Sequence, residues 1–197
     1  MGERMERRGF LKTTGLALLA TFTGCREKSK SPESLYKFGY GYTQTNFLRP
    51  PGAVAEQKFL QGCINCELCA QACPVGAIKF FTATLDGQVA PHTPYIVAAD
   101  TACNLCLYCT KVCPTGVLRP IEKKANVNMG LAVIEERLCL PYIRQGICGA
   151  CYTVCPVNAV KLEMQRYPKV IADRCVGCGL CEEVCLQKVK AIRILKA

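Results

Sequence analysis

Histidine occurs once in 197 residues and tryptophan not at all. A single imidazole, His92, rules out a Rieske centre, which needs two, and leaves little for acid–base catalysis or zinc–histidine sites. The chain also lacks a G-x-G-x-x-G turn, a P-loop, an H-E-x-x-H helix and any Ser/His/Asp set, so no standard catalytic constellation is present. Long apolar runs are missing too. The best candidate, Thr13 to Gly24, is about a dozen residues of moderate hydrophobicity, too short for a membrane span. No arginine-rich run or aromatic stacking platform marks a nucleic-acid surface, despite a formal charge of +10.

Cysteine fills the gap. There are 17, and sixteen fall into four groups of four. The first is Cys63, Cys66, Cys69 and Cys73, spaced two, two and three apart and followed by Pro74. Cys103, Cys106, Cys109 and Cys113 repeat it before Pro114, and Cys175, Cys178, Cys181 and Cys185 repeat it before Leu186. The third group is stretched: Cys139, eight residues, then Cys148, Cys151, Cys155 and Pro156. This is the spacing of bacterial-type 4Fe–4S ligands, in which three cysteines wrap one cube and the fourth serves its neighbour. Proline after the fourth cysteine has no N–H and a fixed φ, which suits a chain leaving a helical turn for a new direction.

Two other uses of cysteine fit the pattern poorly. Structural zinc takes paired C-x2-C knuckles rather than four cysteines in eleven residues closed by proline. Cysteines two residues apart rarely reach disulfide geometry, and a tight run repeated four times would cross-link few distant segments. The sixteen cysteines are therefore expected to hold four 4Fe–4S clusters as iron ligands. Such a chain is a cofactor-dense scaffold whose core is largely the clusters, and small metallo-domains commonly fold only when loaded.

The charge agrees. Residues 1–30 carry a net +4 and residues 31–197 a net +6. Each thiolate-ligated cube brings roughly −2 when oxidised, so four would leave the loaded body slightly negative. The positive balance reads as compensation for clusters.

Three segments follow in order. Residues 1–25 read as a twin-arginine export signal: Arg7-Arg8-Gly9-Phe10-Leu11-Lys12 and then the uncharged stretch. Cys25, the odd cysteine, stands where a lipoprotein signal would place its acylated residue; a signal that is unprocessed or cleaved elsewhere fits equally well. Residues 26–57, rich in Ser, Lys, Pro and Tyr, read as a linker ending in the rigid turn Pro50-Pro51-Gly52. Tyr36, Tyr40, Tyr42 and Phe47 suit aromatic anchoring of that segment on its own body. Residues 58–197 form the cluster body, with motifs at 63–74, 103–114, 139–156 and 175–185.

Within the body a repeat of about 30–40 residues is visible. Short apolar pieces follow each motif, at residues 76–80, 116–118, 158–162 and 191–195, and others precede the later motifs, at 95–97, 131–134 and 169–171. They read as short strands forming hairpins between cluster loops, with Asp86-Gly87, Pro91 and Pro94 marking the first turn. The fold class expected is α+β: two ferredoxin-like units, each of two 4Fe–4S sites, with short hairpins and short helices. Lys79, Lys111, Arg119, Lys161 and Arg193 lie near the motifs and read mostly as solvated surface charges.

The signal, the segment Leu48-Arg49-Pro50-Pro51-Gly52-Ala53, Thr93-Pro94-Tyr95, Met129-Gly130-Leu131-Ala132-Val133 and the lengthened Cys139 to Cys148 spacing together closely resemble the NapG/MauM family of ferredoxin-type proteins. The resemblance covers nearly the whole chain. It implies a periplasm-facing electron carrier at the outer face of the cytoplasmic membrane, without a catalytic site of its own. Its electrons would come from a NapH-like membrane iron–sulfur protein that oxidises quinol, and would go to an exported oxidoreductase such as periplasmic nitrate reductase. MauM-like members imply methylamine utilisation instead. A different class of reading is an assembly or redox-sensing factor for an exported enzyme.

Cluster pairing stays open at this level. A tandem arrangement joins the first motif to the second and the third to the fourth, placing Cys113 with Cys63, Cys66 and Cys69. A nested one joins first to fourth and second to third, placing Cys185 with Cys63 and Cys155 with Cys103. The interval from Pro114-Thr115-Gly116 to Gly130-Leu131-Ala132-Val133 resembles the paired central motifs of nested four-cluster subunits and favours nesting. The inserted Leu140 to Ile147 is expected to alter exposure at the third site and to contribute to a partner surface.

Overall fold

The computed structural model describes residues 47–81 and 92–196. The signal, Cys25, Tyr36, Tyr40, Tyr42 and Asp86-Gly87 lie outside the described residues. The described residues carry five α-helical segments, α1 Glu56–Gly62, α2 Leu68–Gln71, α3 Tyr108–Val112, α4 Ala150–Thr153 and α5 Leu180–Glu183. Six strands accompany them: β1 Ile78–Phe80, β2 Pro94–Ile96, β3 Gly130–Ile134, β4 Val160–Glu163, β5 Tyr167–Val170 and β6 Ile192–Lys196. Four of the five helices have five residues or fewer, too short to stand alone; each is one turn that aims cysteines.

The strands pair antiparallel in three two-stranded sheets, β1 with β2, β4 with β5, and β3 with β6. The first two are the expected hairpins. The third differs from expectation: β3 precedes the third cysteine motif and β6 follows the fourth, so the sheet closes a loop around both motifs, with Ala132 opposite Ile194. The same closure recurs in the first half on a smaller scale. Ala53, before the first motif, bridges Leu118, after the second; Val54 donates to the Val117 carbonyl at 3.0 Å and Arg119 to that of Gly52 at 2.8 Å. Each half thus consists of an inner hairpin and an outer strand pair around two cysteine motifs. Pairing across such distances is set by burial on one face, with Ala132, Ile192 and Ile194 inward and Leu131 and Val133 outward.

Only residues 47–57 of the expected linker are described, and they belong to the body rather than to a connection. Leu48 is fully buried and exchanges both backbone hydrogen bonds with Ile96, at 3.1 and 2.8 Å, extending the β1–β2 sheet by a bridge. Phe47 packs on Phe81 and Tyr95 with ring centroids 5.0 and 4.6 Å away. Arg49 is 8% exposed; its Nη1 donates to the Pro94 carbonyl at 2.7 Å, its Nε and Nη2 go to the Glu56 carboxylate, and its guanidinium lies 4.6 Å from the centre of the Phe59 ring. A charge this deeply buried is tolerable only when paired and fully hydrogen-bonded, as it is here. The two segments Leu48 to Ala53 and Thr93 to Tyr95 are therefore neighbours.

Candidate iron–sulfur sites

Three of the four cysteine motifs begin as a tight loop. In the first, Asn65 and Glu67 have φ of 56° and 61°; in the second, Leu105 and Leu107 have 59° and 63°; in the fourth, Gly177 and Gly179 have 71° and 91°. The left-handed residues fall at the same two positions each time, one before and one after the second cysteine. They curl the backbone so that three thiols point inward. Only the fourth motif uses glycine for this, and the leucines of the second carry a conformational strain that its packed surroundings must hold. The one-turn helix that follows brings in the third cysteine and then the fourth, which leaves in another direction. After that the chain turns sharply: Gly76, Gly116 and Asn158 donate to the carbonyls of Cys73, Cys113 and Cys155 at 3.2, 3.4 and 3.3 Å.

The thiols gather around cavities. One is lined by Cys63, Cys66, Cys69 and Cys113, a second by Cys73, Cys103, Cys106 and Cys109, and a third by Cys139, Cys148, Cys151 and Cys185. The remaining four, Cys155, Cys175, Cys178 and Cys181, form a fourth set, in which Cys155 and Cys175 act electrostatically on both Cys178 and Cys181. Motif one thus exchanges its last cysteine with motif two, and motif three with motif four. The arrangement is tandem, and the nesting favoured by the sequence is corrected. Its physical reason is the β3–β6 closure, which ties the third and fourth motifs into one unit, while the bridge at Ala53 and Leu118 ties the first two.

The donor chemistry suits a 4Fe–4S cube. Among the described residues no group of three or more His, Cys, Asp or Glu draws together around a single ion; the sulfurs instead ring open space, and no histidine lines the cavities. Backbone N–H groups point at several of the sulfurs: Leu105 at Cys103 (3.4 Å), Ala132 at Cys175 (3.3 Å), Ala159 at Cys155 (3.2 Å) and Ala191 at Cys185 (3.4 Å). Such donors favour the thiolate and tune the potential of whatever it ligates.

Several of the thiols are held well above their ordinary value. Burial, and then the neighbouring cysteines, push Cys69 and Cys151 up to about 11 and Cys103 and Cys109 up to about 12, and Cys181 rises by more. Burial would also raise Cys113, but N–H groups of Leu118, Thr115 and Gly116 and the Thr115 hydroxyl outweigh it and hold the thiol below its ordinary value. Iron held by these cysteines would favour their thiolate form.

Of the five charges near the motifs, Lys79 pairs with Asp100 at 2.8 Å and Lys161 with Glu163 at 3.2 Å. Sequence reasoning missed the acidic residues inside the fourth motif. Glu182 is buried and its Oε2 accepts from the Ile194 N–H at 2.9 Å, pinning α5 to β6; burial holds its carboxyl above the usual range. Glu183 reaches into the first half, where its Oε2 accepts from the Ala102 N–H at 3.1 Å. The only signal for either was an acidic pair between cysteines.

Comparison with known proteins agrees with the site. A model of the 4Fe–4S dicluster domain matches residues 62–117, 102–159 and 146–189. These matches, the fold and the thiol-lined cavities define a ferredoxin-type iron–sulfur electron-transfer protein built from dicluster units. The chain is 42% identical to the ferredoxin-type protein NapG of Escherichia coli (strain K12), over 75% of this chain and 70% of the relative. It is 41% identical to the methylamine utilization ferredoxin-type protein MauM of Methylorubrum extorquens, over 75% and 72%. Against NapG of Haemophilus influenzae it is 37% identical over 96% of this chain and 71% of the relative. The chain belongs to the NapG/MauM family of ferredoxin-type proteins.

Proposed function

We propose that this protein is a one-electron relay with four 4Fe–4S clusters, ligated by the sixteen cysteines in the quartets that line the cavities, and without a catalytic site of its own. The observation that carries it is the exchange of fourth cysteines, which places two sites side by side within each half. When bound, a cluster accepts and releases one electron with little structural change. The chain supplies the rest. Its thiols hold, its N–H groups to sulfur set the potential, and its buried loops exclude water from Cys103, Cys109, Cys178 and Cys181.

Exported by Arg7 and Arg8 to the outer face of the cytoplasmic membrane, the protein takes electrons from a NapH-like, quinol-oxidising membrane iron–sulfur partner and gives them to an exported oxidoreductase. Similarity to NapG supports a periplasmic nitrate reductase as acceptor. Similarity to MauM supports methylamine oxidation as the alternative. Among the described residues no helix is long and apolar enough to cross a membrane.

Anaerobically purified protein tests this. Iron and sulfide should match four cubes, and the clusters should be reduced by the quinol-linked partner and reoxidised by the acceptor enzyme over repeated cycles. A chain needed only while its client enzyme matures, with clusters that do not cycle, would belong to an assembly factor.

A further inference from the structure

The two halves meet at one cysteine-to-cysteine contact. The N–H of Cys103, from the second quartet, donates to the carbonyl of Cys178, from the fourth, at 3.0 Å. Three features hold this contact close. Gly179 faces the turn at residues 97–101: a Cβ on it would stand 2.4 Å from the Ala98 Cβ and 3.5 Å from the Ala102 Cβ. Ala98 and Ala102 are themselves small and buried. Glu183 clamps the seam through the Ala102 N–H.

Each cavity is lined from one half alone: the first and second by residues 51–118 and the third by residues 134–192, so the backbone contact of Cys103 with Cys178 is what brings quartets of different halves together. An ion pair across the halves, Lys196 to Glu56 at 2.9 Å, involves no cysteine motif. Exposure follows the same division. The second and fourth quartets each hold two buried thiols, Cys103 with Cys109 and Cys178 with Cys181; the first holds one, Cys69, beside the exposed Cys66, and the third none.

We infer that the quartets are ordered in space as first, second, fourth, third, and that the Cys103–Cys178 contact, held by Ala98, Ala102, Gly179 and Glu183, is the junction through which an electron passes between halves. This rests on the relay reading above. At the junction one side is oxidised by one electron and the other reduced by one; no bond forms or breaks and no proton is required. The external reductant and oxidant are the quinol-oxidising partner and the exported oxidoreductase. The chain order of the motifs is therefore not the order of transfer, and the two exposed ends are the first and third quartets.

Magnetic coupling in reduced, loaded full-length protein tests the order without any partner. Cys66→Ala with Cys148→Ala removes a ligand from each outer quartet; the strong cluster–cluster splitting across the junction should persist. Cys106→Ala with Cys178→Ala should abolish it. The reverse pattern overturns the order. Because ligand variants can fail to load, Ala98→Leu supplies a second measurement: iron content should equal that of the parent while the splitting across the junction is lost, and Glu183→Ala should weaken it. Unchanged coupling in both variants overturns the junction. Failure of the relay reading would show separately, as intact coupling in clusters that no partner can cycle.

Discussion

Cys185 shares a cavity with Cys139 and not with Cys63. Replacement of Cys185 by serine should therefore damage the site held by Cys139, Cys148 and Cys151 and spare the one held by Cys63, Cys66 and Cys69. Iron content should fall by about one cube in four, and the altered resonance should be that of the third site, as is usual when a single thiolate is lost. Damage to the first site instead would restore the nested pairing.

Arg49 sets a second expectation. Its guanidinium is buried against Phe59 and satisfies both the Glu56 carboxylate and the Pro94 carbonyl. Arg49→Ala should cost about 3 kcal/mol, because it leaves the Pro94 carbonyl without its buried donor, takes one of two cationic partners from Glu56 and loses the packing on Phe59. Arg49→Lys should recover only part, since an ammonium cannot serve both partners from one plane. Chemical or thermal unfolding of the loaded protein measures both.

Glu56 gives this cluster a pH signature. Burial would raise its carboxyl, but hydrogen bonds and charges from Arg49 and Lys196 outweigh that and lower it from 4.5 to about 2. A carboxyl depressed in the folded state contributes stability above its unfolded value, and that stability disappears as pH falls from about 4.5 towards 2. The side chain is over a third exposed, so solvent screening reduces the contribution to about 1 kcal/mol at neutral pH. The difference in melting temperature between the parent and Glu56→Gln should hold constant above about pH 5 and shrink as pH falls from about 4.5 towards 2, as long as the clusters stay loaded. A constant difference would remove Glu56 from the account.

Two glycines with similar φ separate conformational strain from close approach. Gly76 has φ +64° and open space around its missing Cβ; Gly177 has φ +71°, and a Cβ there would stand 2.3 Å from the Gly130 backbone nitrogen. Gly76→Ala should cost about 1 kcal/mol, the ordinary expense of a left-handed alanine. Gly177→Ala must also push β3 away from the fourth motif, and should cost severalfold more and lower loading at Cys175, Cys178 and Cys181. Equal costs would show that the β3 contact is soft.

The cysteine spacing made the ligand candidates legible, because three thiols on one tight loop need fixed gaps and the chain shows those gaps four times. The strand segments were legible as well, from short apolar pieces beside each motif. The two hairpin pairings were legible with them, but the third pairing was not. The β3–β6 sheet joins residues on either side of two motifs, and nothing local in Gly130-Leu131-Ala132-Val133 names its partner. The loop of the β4–β5 hairpin was hidden for a different reason: Met164 and Gln165 take φ of 50° and 55° without glycine, so the usual turn signal is missing. Arg49 was hidden by composition, since a charged residue among prolines reads as surface until its partners, Glu56 and Pro94, are seen around it.

The insertion after Cys139 leads to the last expectation. Residues 140–147 fold over themselves in successive turns, with Tyr142 and Ile143 donating to the Cys139 carbonyl at 2.9 and 3.1 Å. Tyr142 anchors the loop to β5 through its hydroxyl on the Pro168 carbonyl at 3.1 Å and a ring contact with Tyr167 at 5.2 Å. Leu140 and Leu186 line the third cavity, Leu186 standing 74% exposed, and Ile147, next in the chain to the lining Cys148, is 85% exposed. An apolar rim of this kind at an end of the wire suits contact with a redox partner. Ile147→Ser should leave stability within about 0.5 kcal/mol of the parent, as an exposed site does. It should slow electron exchange with one partner, either the donor or the acceptor, and leave the other unchanged. Combining it with Leu186→Ser should deepen the same defect. If stopped-flow reduction and reoxidation with both partners match the parent, the loop is no docking surface.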